Sequence, residues 1–250
     1  MRARLLARIA QVPGAVVAVS FRDLGSGHSL DLNAGLSFHA ASTMKVPVMI
    51  ELFRQVERGW LSLDQPLLLV NQFGSIVDGS PFSVDAGDDS DSLMYRSVGE
   101  RVPVRELLER MIVRSSNLAT NALIAVVDAR RANATAHELG ARDIRVLRGV
   151  EDQKAYDAGM NNTTTARDLA VLLADFLDQR PRARELFVRF LDVAPAGSES
   201  ILPAMRLISC CVIAFTRSCA VAALSPSVSN FFMTSPRLRK SFTLSRFARS

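Results

Sequence analysis

Phe38-His39-Ala40-Ala41-Ser42-Thr43-Met44-Lys45-Val46-Pro47-Val48-Met49-Ile50-Glu51-Leu52-Phe53 carries an extended segment into an apolar helix. Ser42 and Lys45 lie three residues apart, so a helical backbone sets hydroxyl and amine on one face, one turn from each other. Lys45 can then accept the Ser42 proton, while the helix N-terminus favours the negative charge that develops there. Alone, Ser-x-x-Lys is weak, since about one match is expected by chance at this length and an average composition. Its weight comes from the segments around it.

The spacing predicts a helix from about Thr43 to Arg58 that buries Val46, Met49, Ile50, Phe53 and Val56 and ends at Gly59. Pro47 lacks a backbone donor and predicts a slight kink near Ser42. Upstream, the β-branched run Ala15–Phe21 and a return strand Ser29–Leu32 form a hairpin around Gly25-Ser26-Gly27. Downstream, Val104–Val113 and Asn117–Val127 read as helices, with Ser115-Ser116 as cap material between them. Asn133–Leu139 is a short helix closed by Gly140. Thr165-Ala-Arg-Asp168 resembles a capping box opening a helix that carries Leu169, Leu172, Leu173, Phe176 and Leu177. Residues 72–100 are rich in Gly, Ser and Asp and read as a solvated loop. The Asp85-Ala-Gly-Asp88-Asp89-Ser-Asp91 cluster lacks the Gly and terminal Glu of a calcium loop. No metal and no cofactor is expected.

With 250 residues the chain is long enough for a substantial core, and 48% hydrophobic with 22% charged residues is ordinary for a globular protein. The formal charge of +5 is unevenly spread. Residues 200–250 contain no Asp or Glu and seven of the 30 basic residues, so 23 basic face 25 acidic groups in the remainder, a net of −2. A near-neutral body argues against a nucleic-acid partner. All three cysteines (Cys210, Cys211, Cys219) fall in the same tail, in odd number and without a histidine cluster, which excludes a secreted disulfide framework and a zinc site. Arg2, Arg4 and Arg8 interrupt the apolar residues of the N-terminus, so it reads as a surface helix rather than a signal peptide, and the expectation as encoded is a cytoplasmic protein. No apolar run of about 20 residues predicts a membrane span.

Taken in order, Ser42-x-x-Lys45, Ser115-Ser116-Asn117 and a loop from Arg148 to Thr165 leading into a helix resemble the class A β-lactamases. The phrase Asn162-Thr-Thr-Thr-Ala-Arg-Asp-Leu-Ala170 is similar to the β-lactamase-like serine hydrolase branch, within a likeness running from about Gly14 to Pro203. The resemblance implies an α+β, penicillin-binding-protein-like fold: an antiparallel sheet flanked by helices, with an inserted all-helical domain. Residues 1–42 and 186–203 would form a discontinuous sheet subdomain, 43–185 the helical one, and 204–250 an aberrant tail. It also implies that Ser42 is acylated, Lys45 accepts its proton, Ser115 passes that proton to the leaving nitrogen, and Asn117 binds the substrate's side-chain amide. The partner is a β-lactam or a related amide or ester, and the protein a monomer.

The departures matter as much. Ser116 stands where the family has Asp. Val150 stands where the family's deacylating Glu belongs, with Glu151 one step later in a loop about one residue shorter, so Glu151 is the candidate base. Arg148 is expected to tie the loop ends to Asn162, where the family normally has Asp. The family's Lys-Thr-Gly motif is missing: after Ile201-Leu202-Pro203 the chain turns rich in Ser, Arg and Cys, and Lys240-Ser241-Phe242 is too late and lacks the Gly. That reads as translation out of frame after about Pro203, with a divergent genuine tail as the rival. Leu207–Phe215 and Ala220–Leu224 are apolar enough to substitute as strands, but without designed register. The second oxyanion N–H would come from the missing strand, so impaired activity is expected. The alternatives are a D-alanyl peptidase or esterase with the same chemistry, and an inert truncated or interaction protein. His28, His39 and His137 offer no catalytic triad; His39, three residues before Ser42, either borders the site or packs, with packing the expectation.

Overall fold

The computed structural model describes residues 2–179, Glu185 and the strand 209–216. The first apolar run forms β1 (Val16–Asp23), preceded by α1 (Arg2–Ile9) and followed by β2 (Ser29–Leu32). β1 and β2 pair antiparallel, with Val19 opposite Leu32 and Arg22 opposite Ser29. Asp23 holds the turn, its Oδ1 accepting the Gly25 N–H at 2.9 Å, and Gly27 supplies the left-handed residue at φ +73°. Alternation along β1 splits its faces. Val17 and Val19 join Leu32 under Leu5 and Ile9 of α1, while Ala18 meets Phe38 and Ala166 on the other side. α1 buries no residue and lies on the surface, as its charge pattern suggests.

β3 (Ser37–His39) leads through a 3₁₀ turn, Ala41–Met44, into α2 (Lys45–Glu57). α2 is buried on nearly all sides, from Lys45 through Phe53 and again at Gln55, because it runs through the middle of the helical layer. Beyond Lys45, its two other buried polar side chains are satisfied. Glu51 accepts from Gln55 Nε2 at 2.8 Å and from Thr135 Oγ1 at 2.5 Å, and Gln55 also donates to the Val127 carbonyl at 3.1 Å. Pro47 is the third residue of α2, where a backbone N–H has no partner within the helix, so it is tolerated. The irregularity expected near Ser42 takes the form of the 3₁₀ turn. Gly59, at φ +71°, closes α2.

The segment expected to be a solvated loop is largely exposed, but one short ladder flanks it, another lies within it, and two of its acids are buried. β4 (Pro66–Leu68) pairs with β7 (Arg101–Pro103), and β5 (Phe73–Gly74) with β6 (Pro81–Phe82). Asp89 and Asp91 are buried because their carboxylates are taken up by N–H groups and by Arg110, whose Nη1 lies 3.1 Å from Asp91. α3 (Val104–Val113) and α4 (Asn117–Val127) follow at the expected places. α5 (Ala129–Glu138) starts at Ala129 rather than Asn133. Asp128, at φ +67°, ends α4 and caps α5 through the Arg130 N–H at 2.8 Å, so no loop separates the two.

After α6 (Gln153–Asp157), β8 (Thr163–Thr165) pairs with β3 and runs into α7 (Ala166–Gln179). Asp168 donates its N–H to Thr165 Oγ1 at 3.0 Å, half of the expected capping box. Its carboxylate turns instead to the Asp143 N–H at 2.8 Å, and burial pushes its pKa up. α7 lies against β1 and β9 (Ser209–Thr216), and β9 pairs antiparallel along the whole of β1, from Val16 opposite Thr216 to Asp23 opposite Ser209. The tail segment thus pairs in one continuous register, and β1 becomes the central strand of β2-β1-β9. A third strand matters, since a lone hairpin is marginal in water. The expectations for 186–203, Cys219, Ala220–Leu224 and Lys240-Ser241-Phe242 lie outside the described residues. No described helix is long and apolar enough to cross a membrane, and the described residues hold no cluster of three metal-ligating side chains.

The core between α2 and α7 is closed by Phe53 and Phe176, whose ring centres lie 5.6 Å apart. Phe176→Ala should lower the unfolding free energy by about 3–5 kcal/mol, read from urea denaturation, because a fully buried ring leaves a cavity that packed helices cannot collapse.

Candidate functional site

Two tethers aim the Ser42 segment. Phe38 pairs with Thr164 across β3 and β8, and the Ala40 N–H donates to the Asn162 carbonyl at 2.9 Å. Ala41 then turns through φ +45° and delivers Ser42 to the threshold of α2. Ser115 (φ +57°) and Glu151 (φ +61°) are also left-handed without being glycine. Such conformations cost about 1–3 kcal/mol each and persist only where the surroundings hold them. Ala41 and Glu151 border one cleft of about 260 Å³, whose walls also include Ser42, Lys45, Asn117, Arg148 and Tyr156, and Ser115 meets its edge through the Ser42 hydroxyl.

Lys45 is completely buried. Its Nζ lies 3.3 Å from Ser42 Oγ, 2.9 Å from Ser115 Oγ, 2.6 Å from the Ser115 carbonyl and 3.2 Å from Asn117 Oδ1. Ser42 Oγ and Ser115 Oγ are 2.9 Å apart. An ammonium has three hydrogens for these four oxygens. In the neutral form two N–H groups can serve the carbonyl and amide oxygens while the lone pair faces a hydroxyl. Burial favours that form, bringing Lys45 down from 10.5 to about 8 against the opposing pull of Asp89 and Glu151. The left-handed turn at Ser115 is what brings its hydroxyl and its carbonyl onto the same amine.

Asp89 was not singled out by the sequence, yet it organises this corner. Its Oδ2 accepts the N–H groups of Asn117 and Leu118, each at 2.9 Å, the Ser116 hydroxyl at 3.3 Å and the Tyr95 hydroxyl at 3.2 Å. A carboxylate at the start of α4 satisfies orphan N–H groups and meets the positive end of the helix dipole. Ser116 Oγ in turn caps α4 through the Ala119 N–H at 3.2 Å. The clue was Ser116 itself: where the resembled motif has an Asp, this chain has none, and the missing negative charge arrives from the facing loop.

The loop after Arg148 is clamped rather than loose. Asn121 donates to the Val150 carbonyl at 2.9 Å and accepts its N–H at 2.7 Å. Asn162 Oδ1 accepts the N–H groups of Leu147 (2.8 Å) and Arg148 (3.1 Å), and its Nδ2 donates to the Arg148 carbonyl at 3.0 Å. The expected tie between Arg148 and Asn162 exists, but it runs through the Arg148 main chain. Asp152 caps α6 and holds Ser75 and Ile76. Glu151 projects into the cleft, where Oε1 accepts Asn117 Nδ2 at 2.8 Å and Oε2 the Asp85 N–H at 3.0 Å. The expectation of packing for His39 is not met: it is exposed and borders the cleft, because β3 is only three residues long and alternation turns His39 away from Phe38. His28 bonds Ser26 and His137 the Ile144 carbonyl.

Comparison with known proteins places this geometry. A family described as the "Beta-lactamase enzyme family" matches residues 1–192. The structure called PBP-A is 25% identical, covers 76% of this chain and 67% of its own, and superposes with a TM-score of 0.61. A point mutant of PBP-A, solved as an acyl-enzyme complex with penicillin G, is 26% identical over 76% of this chain and 67% of that one, with a TM-score of 0.60. A β-lactamase from Chitinophaga pinensis shares the fold at 21% identity, with a TM-score of 0.63 over 78% of this chain and 70% of that one. No curated protein matches significantly.

A methyl group at Gly149 would sit 2.7 Å from Asn121 Oδ1, inside contact distance. Gly149→Ala should therefore open the Asn121–Val150 clamp and lower stability by about 1–3 kcal/mol. Limited proteolysis should then cut between 148 and 162 faster than in the parent; an unchanged digestion rate would mean that the clamp does not hold the loop.

Proposed function

The chain belongs to the β-lactamase enzyme family, and on that footing we propose that it hydrolyses a β-lactam amide through an acyl-enzyme on Ser42. The supporting observation is the buried Lys45 amine, its pKa lowered to about 8, held between the hydroxyls of Ser42 and Ser115. Lys45 takes the Ser42 proton, and Ser42 Oγ bonds the carbonyl carbon to give a tetrahedral oxyanion. The Ser42 N–H donates to that oxyanion. The carbon–nitrogen bond then breaks as Ser115 passes its proton to the leaving nitrogen and recovers one from Lys45. Asn117, whose Oδ1 rests on Lys45, exchanges the Glu151 carboxylate for the substrate's side-chain carbonyl at Nδ2.

Deacylation is the weaker half. Val150 brings no carboxylate, and Glu151 is the base we assign to water activation. In the free protein both of its oxygens already accept a hydrogen bond, and when Asn117 turns to substrate the Asp85 N–H still holds Oε2. Acylation should therefore outrun deacylation and the adduct accumulate. This favours, as a second reading, a penicillin-binding-type enzyme acting on D-alanyl peptides or esters. Without the Lys-Thr-Gly strand the second oxyanion donor is also in question, and loss of one such donor costs about 10²–10³ in rate. No metal takes part in this scheme.

Incubation with benzylpenicillin should give a mass increase of one intact penicillin, mapped to the Ser42 peptide and absent in Ser42→Ala. Glu151→Gln should prolong that adduct at least about tenfold, within the range that a general base contributes. If the parent and Ser42→Ala behave alike, the protein is inert; if Glu151→Gln leaves the lifetime unchanged, Glu151 is not the base. The acylation rate should climb as pH rises through about 8, because only the neutral Lys45 amine accepts a proton. At pH 7 about a tenth of the molecules would carry that amine, against well under a thousandth for an ordinary lysine. A rate flat from pH 6 to 10 would remove Lys45 as the acceptor.

A further inference from the structure

The Arg148 guanidinium is the charged group of this cleft that the proposed mechanism leaves unused. It is 7% exposed, and among the described residues no carboxylate pairs with it. Nη1 donates to the neighbouring Gly149 carbonyl at 3.0 Å, and Nε is buried without a hydrogen-bond partner. Its carbon centre lies 5.6 Å from the ring of Tyr156, which borders the same cleft. Asn162, which could have balanced it as an acid, is neutral and fully occupied by the main chain of Leu147 and Arg148. Asp152 carries the nearest opposing charge, but its oxygens serve Ser75, Ile76 and Ala155. Glu151, the other acid of the cleft, is taken up by Asn117 and Asp85. A guanidinium stays charged at any ordinary pH and offers five N–H donors, so a buried one with so few acceptors is left poorly compensated.

We propose that Arg148 forms an anion subsite on the loop wall of the cleft, selecting acyl donors that carry a carboxylate on the acyl side of the scissile amide. The side follows from the layout: Arg148 stands on the wall built by Val150 and Glu151, to which Asn117 is hydrogen-bonded. A substrate whose side-chain amide is held by Asn117 extends its acyl group toward that wall. In this respect the proposal rests on the Ser42 reading, although anion binding at Arg148 needs no acylation. A planar guanidinium takes a carboxylate in two parallel hydrogen bonds, which suits a fixed side group better than a diffuse charge.

α-Carboxybenzylpenicillin and benzylpenicillin make a matched pair, since both carry the ring carboxylate and only the first adds one on the acyl side chain. The second-order rate of Ser42 acylation, followed by intact mass, should favour the first by about tenfold, the worth of one charge-assisted pair. Arg148→Gln should bring the ratio to one or below, and Arg148→Lys should restore part of it. Equal rates for the two penicillins in the parent overturn the proposal, as does an undiminished ratio in a folded Arg148→Gln variant. Phenylmalonate and phenylacetate, titrated by NMR into the parent and into Ser42→Ala, read the subsite without chemistry. Preference for phenylmalonate in both supports the subsite even if no penicillin reacts, in which case the Ser42 reading alone fails. No preference in either protein sinks the subsite whatever Ser42 does.

Discussion

The site depends on one expulsion of water. Lys45 sits at the start of a helix that is buried on nearly every side, so its amine is removed from solvent by the same packing that builds the core. Desolvation disfavours the ammonium and brings Lys45 down to about 8, with four oxygens gathered around Nζ. Reactivity and core formation are therefore one energetic event. A looser helical layer would hydrate Lys45 and let its pKa rise again, even if every site residue remained in place.

Negative charge keeps that balance from going too far. Asp89 and Glu151 both act to raise Lys45 again, and both are fixed by hydrogen bonds rather than left to move. Asp89 does two jobs with one carboxylate: it gathers the free N–H groups at the head of α4 and supplies the field felt by Lys45 across the Ser115 turn. In this chain, therefore, the carboxylate that serves the Ser-Ser-Asn segment comes from sequence far outside that segment.

Local chemistry made the frame legible. The 3.6-residue apolar spacing after Ser42 and the β-branched run at Val16 act within a few residues and formed as read, and the Thr165–Asp168 cap formed by half. What escaped was decided at long range. Asp89 and Asp91 looked solvated because acids in a Gly/Ser stretch usually are; only the arrival of α4 and Arg110 gives them reasons to be buried. The early start of α5 depended on a left-handed Asp128, an option open to few residues and hard to assign from spacing. At the site, Ser42, Lys45, Ser115 and Asn117 converge because two helix starts meet there. His39 was misjudged because a three-residue strand turns a side chain toward solvent as easily as toward the core.

The loop shows how a small sequence change redistributes chemistry between two steps. The Asn121 clamp grips the Val150 main chain, so the residue at that point is positioned as firmly as an acid there would be, but it has no proton-accepting group. The acid is displaced by one residue to Glu151, where reaching the cleft requires φ +61° and a hold on Asp85 and Asn117. A carboxylate so constrained still faces the cleft but has less freedom to follow a water through the tetrahedral stage. On the proposed scheme acylation needs only the Lys45 corner, which the shift leaves untouched, whereas hydrolysis of the adduct needs the loop. On that scheme the first step is retained while the second slows, with the geometry of one loop residue setting the ratio between them.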